Sequence, residues 1–153
     1  MTTMHGRGMA RRALLRAIGG VGAAMALPAP VWASVTDADE WVRKTLGGAV
    51  KDGRVQLVLK DVAESGANEP IRVLVDSPMS AADHVKSIHV VAEGNPYPHV
   101  SSWFFGPLAG KAEVGFRMRL AKSQVVRAYA VMADGSVWQT RQEIKVTIGG
   151  CGG

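Results

Sequence analysis

Hydrophobic and polar residues alternate along several short stretches between residues 54 and 148. In one of them, Val55, Leu57 and Leu59 alternate with polar residues at positions 54, 56 and 60, and a similar alternation recurs over residues 113–120. A period of two residues is typical of a β-strand with one buried face. We read seven apolar, β-branched runs as strands, namely RVQLVLKD, IRVLVDS, VKSIHVVAE, SSWFFG, AEVGFRMRL, VVRAYAVMA and SVWQTRQEIKVTI.

The segments between these runs favour antiparallel pairing. They are rich in Gly, Pro and Asn, and the ADGS segment places a DG pair between two apolar runs, which is a hairpin signal. The helical crossovers that a parallel sheet requires are missing from the pattern. We therefore predict an all-β fold, an immunoglobulin-like antiparallel β-sandwich of about seven strands. An eight-stranded barrel is the competing architecture.

One short helix is predicted ahead of the strands, in the stretch SVTDADEWVRKTLGG. Thr36 can cap it, acidic residues fill its first turn, and Gly47 can terminate it. Trp41, Val42 and Leu46 fall on roughly one side, so we expect this side to pack against the body.

Residues 1–33 have the organisation of an export signal, with a charged start, a weakly apolar stretch and a small-residue end at Ala33. The apolar stretch is shorter than the roughly 20 residues that a bilayer span takes, which argues against a membrane anchor. Arg11 and Arg12 resemble the twin-arginine export motif, and a general secretory signal is the alternative. We predict cleavage after Ala33, a periplasmic location and a mature domain over residues 34–148.

The basic charge lies mostly in this leader. The whole chain has a net charge of +5, with 18 Lys and Arg against 13 Asp and Glu. Four of the arginines lie within residues 1–33, where there is no acid, so 18 minus 4 leaves 14 cations against 13 acids. A basic patch for nucleic acid is therefore not predicted for the mature domain.

The histidines His84, His89 and His99, with Met79 nearby, raise the question of a metal site. A copper site of the blue type needs a cysteine followed closely by histidine and methionine, whereas only two glycines follow Cys151. Histidines scattered over strands and turns are more often surface or hydrogen-bonded residues. We assign no metal site.

Catalytic motifs are also missing from the sequence, which has no Gly-x-Ser-x-Gly elbow, phosphate loop or CxxC pair. Asp76 and Asp83 are read as a solvated loop edge rather than as paired carboxylates. We predict no catalytic residue and no resident cofactor. In a sandwich, Trp103 and Phe105 share one face of a strand and Phe104 takes the other, where it could meet a partner.

The chain ends in Gly-Gly-Cys-Gly-Gly, and Cys151 is its only cysteine. A lone cysteine in an oxidising compartment must pair between chains, be capped, or serve as a reactive thiol. The flanking Gly149, Gly150, Gly152 and Gly153 have no side chains to pack, so residues 149–153 are expected to form a mobile arm. Extended, five residues reach roughly 17 Å at about 3.4 Å per residue, enough to enter an enzyme's pocket. A Gly150→Val substitution is accordingly expected to leave the melting temperature nearly unchanged and to slow delivery.

The stretches VKSIHVVAEGNPYP, AEVGFRMRLAKSQVV and ADGSVW and the ending IKVTIGGCGG resemble the SoxY family, the sulfur-carrier subunits of bacterial thiosulfate oxidation. The resemblance implies a non-catalytic carrier with an immunoglobulin-like domain, paired with a SoxZ-like subunit. It implies Cys151 as the attachment point for thiosulfate-derived sulfur. The enzymes implied as partners are a haem-containing SoxXA-like protein, a manganese SoxB-like hydrolase and a molybdenum SoxCD-like enzyme.

Two other classes compete with this interpretation. A Gly-Gly end resembles ubiquitin-like sulfur carriers, which load sulfur on the carboxylate of the last glycine, here Gly153. Their domains alternate strands with a central helix, unlike the strand-rich pattern of this chain. Alternatively, the protein is an exported structural module that Cys151 crosslinks into dimers.

Overall fold

The computed structural model describes residues 35–150, which contain one helix and nine strands. Residues 1–34 and the last three residues, including Cys151, lie outside the described residues, so the export signal and cleavage after Ala33 stay predictions. The elements are α1 (Val35–Leu46), β1 (Val50–Asp52), β2 (Val55–Val58), β3 (Val62–Ser65), β4 (Glu69–Val75), β5 (Val85–Ala92), β6 (His99–Phe104), β7 (Ala112–Met118), β8 (Gln124–Met132) and β9 (Val137–Ile148).

The strands form two sheets. The larger sheet has the order β1-β9-β8-β5-β6, with β3 also paired to β9, and the smaller sheet has the order β2-β4-β7. Five pairs are antiparallel, namely β2 with β4, β4 with β7, β5 with β6, β5 with β8, and β8 with β9. The all-β sandwich predicted from the alternation is thus confirmed.

The twelve-residue strand β9 organises the larger sheet. Its first residues pair in parallel with β1, where Val50 lies opposite Val137, and its last residues pair in parallel with β3, where Ser65 lies opposite Ile148. The seven predicted strands are present, and β1 and β3 are two further short strands. Their parallel pairing differs from the wholly antiparallel sandwich that was expected.

Two hydrophobic clusters hold the layers together. The main core lies between the sheets. Among its fully buried residues are Val73, Ile88, Leu120 and Ile144. Burial of aliphatic side chains on this scale is the dominant stabilising term in a domain of this size. The alternation of β4 and β7 supplies the inner face of the smaller sheet.

Helix α1 covers the outer face of the larger sheet. Ala38 is fully buried there, and Trp41, Val42 and Leu46 pack against the cluster that it forms with Val91, Tyr129 and Val137. The helix ends before Gly47, whose φ of 62° lies in the left-handed region that favours glycine at a helix C-terminus. The predicted helix and its packing side are therefore confirmed. No helix among residues 35–150 is long and apolar enough to span a membrane.

Candidate functional site

The end of β9 leads directly to the predicted sulfur-bearing segment. Two backbone hydrogen bonds tie this end to the body: Gly66 N donates to Ile148 O at 2.7 Å, and Gly150 N donates to Leu120 O at 2.8 Å. A third, from Leu120 N to Gly66 O at 2.7 Å, joins the two segments that contact it. They connect the turn after β3, the segment after β7 and the residues after β9. We call this arrangement, made by Gly66, Leu120–Ala121 and Gly149–Gly150, the C-terminal clasp.

The segment that accepts Gly150 is itself fixed by buried side chains. Asn95 Nδ2 donates to Arg119 O at 2.8 Å, and Asn95 Oδ1 accepts from Ala121 N at 3.0 Å. Gln124 Nε2 donates to the same Asn95 oxygen at 2.9 Å. Buried polar groups that are satisfied in this way hold a loop in one conformation. The clasp therefore rests on a rigid support.

Sequence reasoning missed this support. It placed Asn95 in a segment between two predicted strands and left Gln124 just ahead of the strand VVRAYAVMA, with no role for either side chain. Both residues are buried in the structure, and a polar side chain needs a hydrogen-bond partner when it is buried. That partner cannot be named without the fold.

The position of Gly149 and Gly150 corrects one expectation. The sequence treated Gly150 as a free joint at which valine would leave the melting temperature unchanged. In the structure, a Cβ atom at Gly150 would overlap the carbonyl oxygen of Gly66, so valine would break the clasp. The mobility of the arm as a whole, and the roles of Cys151, Gly152 and Gly153, stay predictions because these three residues lie outside the described part.

Two of the three histidines are brought together on the outer face of the larger sheet. His89 Nδ1 lies 2.6 Å and His99 Nε2 lies 2.9 Å from the hydroxyl of Ser102, and the second nitrogen of His89 lies 2.9 Å from Ser87 Oγ. Burial lowers the pKa of His89, and the neighbouring His99 lowers it further. This arrangement favours a neutral, hydrogen-bonded imidazole in the folded protein.

The remaining candidates lie elsewhere. His84 Nδ1 lies 3.1 Å from Ser80 O, and Met79 is buried with its sulfur accepting from Val85 N at 3.5 Å. Within residues 35–150, no three His, Cys, Asp or Glu side chains are grouped as a metal site would require. Among these residues, the three histidines that the sequence considered together therefore do not form one group of metal ligands.

Asp76 and Asp83 are connected through one arginine. Arg54 donates from Nε to the backbone oxygen of Asp76 and from Nη2 to Asp83 Oδ2, both at 2.9 Å. In this contact only the Asp83 carboxylate binds the guanidinium, whereas Asp76 contributes its backbone oxygen. The interaction closes the loop between β4 and β5 onto the start of β2.

The aromatic strand has the two faces that its alternation predicted. Trp103 and Phe105 pack against the main core, and the ring centroids of Trp103 and Phe116 are 4.5 Å apart. Phe104 is 80% exposed. Strand β6 lies at the end of the larger sheet's strand order, so Phe104 stands on an edge strand of the described sheet.

Comparison with known proteins decides the family. The sequence model described as "Sulfur oxidation protein SoxY" matches residues 42–151, which is most of the chain and includes Cys151. The chain belongs to the SoxY family. Membership of the SoxY family supports a sulfur-carrier role and confirms the resemblance read from the sequence. No curated protein matches the chain.

Solved structures agree with this assignment. The sulfur carrier protein SoxY from Chlorobium limicola f thiosulfatophilum is similar with a TM-score of 0.64 and 26% identity, over 75% of this chain and 100% of that one. A superoxide reductase (neelaredoxin) from Ignicoccus hospitalis is similar with a TM-score of 0.55 and 25% identity, over 61% of this chain and 80% of that one. The same sandwich therefore occurs in proteins of different activity, and a fold alone does not assign function.

Proposed function

We propose that this protein is an exported, non-catalytic carrier that holds thiosulfate-derived sulfur covalently on Cys151 and presents it to partner enzymes. The observation that carries the proposal is the family match through residue 151, which takes in the chain's only cysteine within its Gly-Gly-Cys-Gly-Gly end. Glycines on both sides leave the sulfur without bulky neighbours. The export signal over residues 1–33 supports a periplasmic site of action.

The chemistry needs an external oxidant at the loading step. Joining the Cys151 thiol to thiosulfate forms a sulfur–sulfur bond and releases one proton and two electrons, which a haem-containing SoxXA-like partner would accept. Hydrolysis by a manganese SoxB-like partner would then cleave the bond to the terminal sulfonate, consuming water and releasing sulfate and a proton. A molybdenum SoxCD-like enzyme would oxidise the sulfane sulfur that remains on Cys151. The carrier supplies only the thiol.

A SoxZ-like subunit is the proposed stable partner. Phe104 is a large apolar side chain that is mostly in solvent, and it lies on the edge strand β6. An exposed edge strand with an outward aromatic is a typical protein contact surface. This surface supports a heterodimer formed through the larger sheet.

The test is the intact mass of the protein after incubation with thiosulfate and the loading enzyme. We expect the mass of one thiosulfate adduct on the wild type, localised to the C-terminal peptide at Cys151, and no adduct on Cys151→Ser. The fold should be unchanged, because serine adds no bulk. Wild-type protein alkylated at Cys151 is the matched control and should also remain unloaded.

Two results would contradict the carrier role of the thiol. An adduct on Cys151→Ser that maps to the Gly153 carboxylate would favour the ubiquitin-like alternative. Recovery of the wild type solely as a disulfide-linked dimer that no partner enzyme can load would favour the structural module.

A further inference from the structure

The C-terminal clasp brings three glycines into contact with backbone atoms. A Cβ atom at Gly66 would overlap Leu120 O, one at Gly149 would overlap Ala121 O, and one at Gly150 would overlap Gly66 O. In each case the obstacle is a main-chain oxygen, which cannot move aside as the end of a flexible side chain can. Any other residue at these three positions would force the segments apart.

Backbone conformation does not explain these glycines. A residue needs to be glycine for conformational reasons where φ is positive. Among the described residues, the glycines with positive φ lie elsewhere in the chain, at Gly47, Gly53, Gly110 and Gly135. Glycine is therefore required in the clasp because backbone segments of the chain approach each other closely there.

The surface that receives Gly149 and Gly150 is part of the folded body. The Leu120 side chain is fully buried in the main core, and Gly66 is buried as well. The neighbouring residues of the segment are held by the Asn95 and Gln124 side chains. Ser123 Oγ further accepts from Val146 N at 2.8 Å, just before the end of β9. Hydrogen bonds to Arg119 and Ala121, the residues before and after Leu120, thus hold the Leu120 carbonyl oxygen in place.

We propose that Gly149 and Gly150 form a docked root of the carrier arm, and that the clasp sets the point from which the sulfur-bearing cysteine starts. In this arrangement Cys151 is the first residue beyond the root, so its Cα atom lies about 3.8 Å from that of Gly150 across one trans peptide bond. The consequence for delivery rests on the proposed carrier function. A partner enzyme must then dock close to Gly66 and Leu120, or else open the clasp.

Amide hydrogen exchange at Gly150 tests the root directly. We expect the Gly150 amide of the full-length wild type to exchange at least about tenfold more slowly than the same amide in an unstructured peptide, because it donates to Leu120 O. Gly66→Ala should abolish this protection. Gly106→Ala is the matched control, because no atom lies within 4 Å of a Cβ built there and its φ is not positive.

A nitroxide attached to Cys151, the only cysteine, gives an independent readout. Its spectrum should show faster motion in Gly66→Ala than in the wild type and no change in Gly106→Ala. If Gly66→Ala fails to fold, Gly150→Ala opens the clasp from the arm's side and should produce the same loss of protection. Exchange of the wild-type Gly150 amide at the unstructured rate would overturn the proposal, as would equal spectra for Gly150→Ala and Gly106→Ala.

These measurements do not involve sulfur loading. If the Gly150 amide is protected but the protein is never loaded with sulfur, the docked root is supported and the proposed carrier function is contradicted. If the Gly150 amide is unprotected but Cys151 is loaded normally, the carrier function is supported and the docked root is contradicted.

Discussion

At the scale of single residues, His89 shows how burial changes the chemistry of a side chain. It is 5% exposed, and both ring nitrogens lie within hydrogen-bond distance of serine hydroxyls. A serine hydroxyl can donate or accept, so a neutral imidazole satisfies both contacts, one as donor and one as acceptor. A protonated ring would bring a charge into this buried position beside His99. The lowered pKa of His89 follows from that burial and that neighbour.

The lowered pKa of His89 predicts an acid-sensitive stability. As pH falls below about 6.5, the ordinary pKa of histidine, the unfolded chain binds the proton first and unfolding becomes more favourable. The contribution of the neutral His89 to the free energy of unfolding is therefore fully present above this pH. It is lost as the pH falls toward the lower pKa of the folded state. Urea unfolding midpoints between pH 8 and pH 5 measure the loss.

A His89→Gln variant should reduce the pH dependence of the midpoint, because its side chain cannot be protonated. The matched variant His84→Gln leaves the buried pair intact and should keep the wild-type contribution of His89. Identical pH dependence in wild type and His89→Gln would contradict this explanation.

At the scale of elements, helix α1 depends on the outer face of the larger sheet. Trp41 stacks on His99 with ring centroids 4.5 Å apart and an interplanar angle of 14°, and it belongs to the cluster around Tyr129. Asp39 accepts a hydrogen bond from Arg127 on β8 at 2.6 Å. A twelve-residue helix is marginal by itself in water, so these contacts must supply most of its stability.

Trp41→Ala should lower the free energy of unfolding by about 1–3 kcal/mol, less than the roughly 3–5 kcal/mol of a fully buried tryptophan, because Trp41 is only half-buried. Chemical denaturation measures this loss. Lys44→Ala on the exposed side of α1 is the control and should leave the midpoint unchanged, since its contact with Glu40 is an exposed ion pair. Equal midpoints for the two variants would show that the helix does not depend on Trp41.

At the scale of the whole molecule, the end of strand β9 and the edge strand β6 are proposed to make different contacts. At the end of β9 the clasp holds the root of the proposed arm, and at the β6 edge Phe104 projects into solvent. The contacts of the clasp are with main-chain atoms of the body. A partner bound through the β6 edge is therefore proposed to leave the clasp accessible to the enzymes that handle the sulfur.

Phe104→Ser should weaken recovery of a co-expressed SoxZ-like subunit while leaving the melting temperature nearly unchanged, because the side chain is 80% exposed. Co-purification by a tag on the partner measures the effect. Leu108→Ser, in the loop that follows β6 and 98% exposed, is the control. Undiminished recovery with Phe104→Ser would place the partner on another face.

Local pattern was sufficient for much of the fold. The period-2 runs predicted seven strands because each buries one face, and the capped stretch ending at Gly47 predicted α1 because its apolar residues share a side. The strands β1 and β3 were missed for a physical reason: they have three and four residues with no alternation, and they exist by pairing with β9.

The sequence by itself determined the class of the fold, the family and the identity of the one thiol, because these depend on local periodicity and on a short terminal motif. The tertiary structure alone decided what Gly149 and Gly150 contact. Gly66 and Gly150 are far apart along the chain, and only the pairing of β3 and β9 brings their backbones together, where no side chain fits. From residue type alone, Gly149 and Gly150 were expected to be mobile. The structure shows instead that the absence of a side chain lets their backbone lie against backbone atoms of the body.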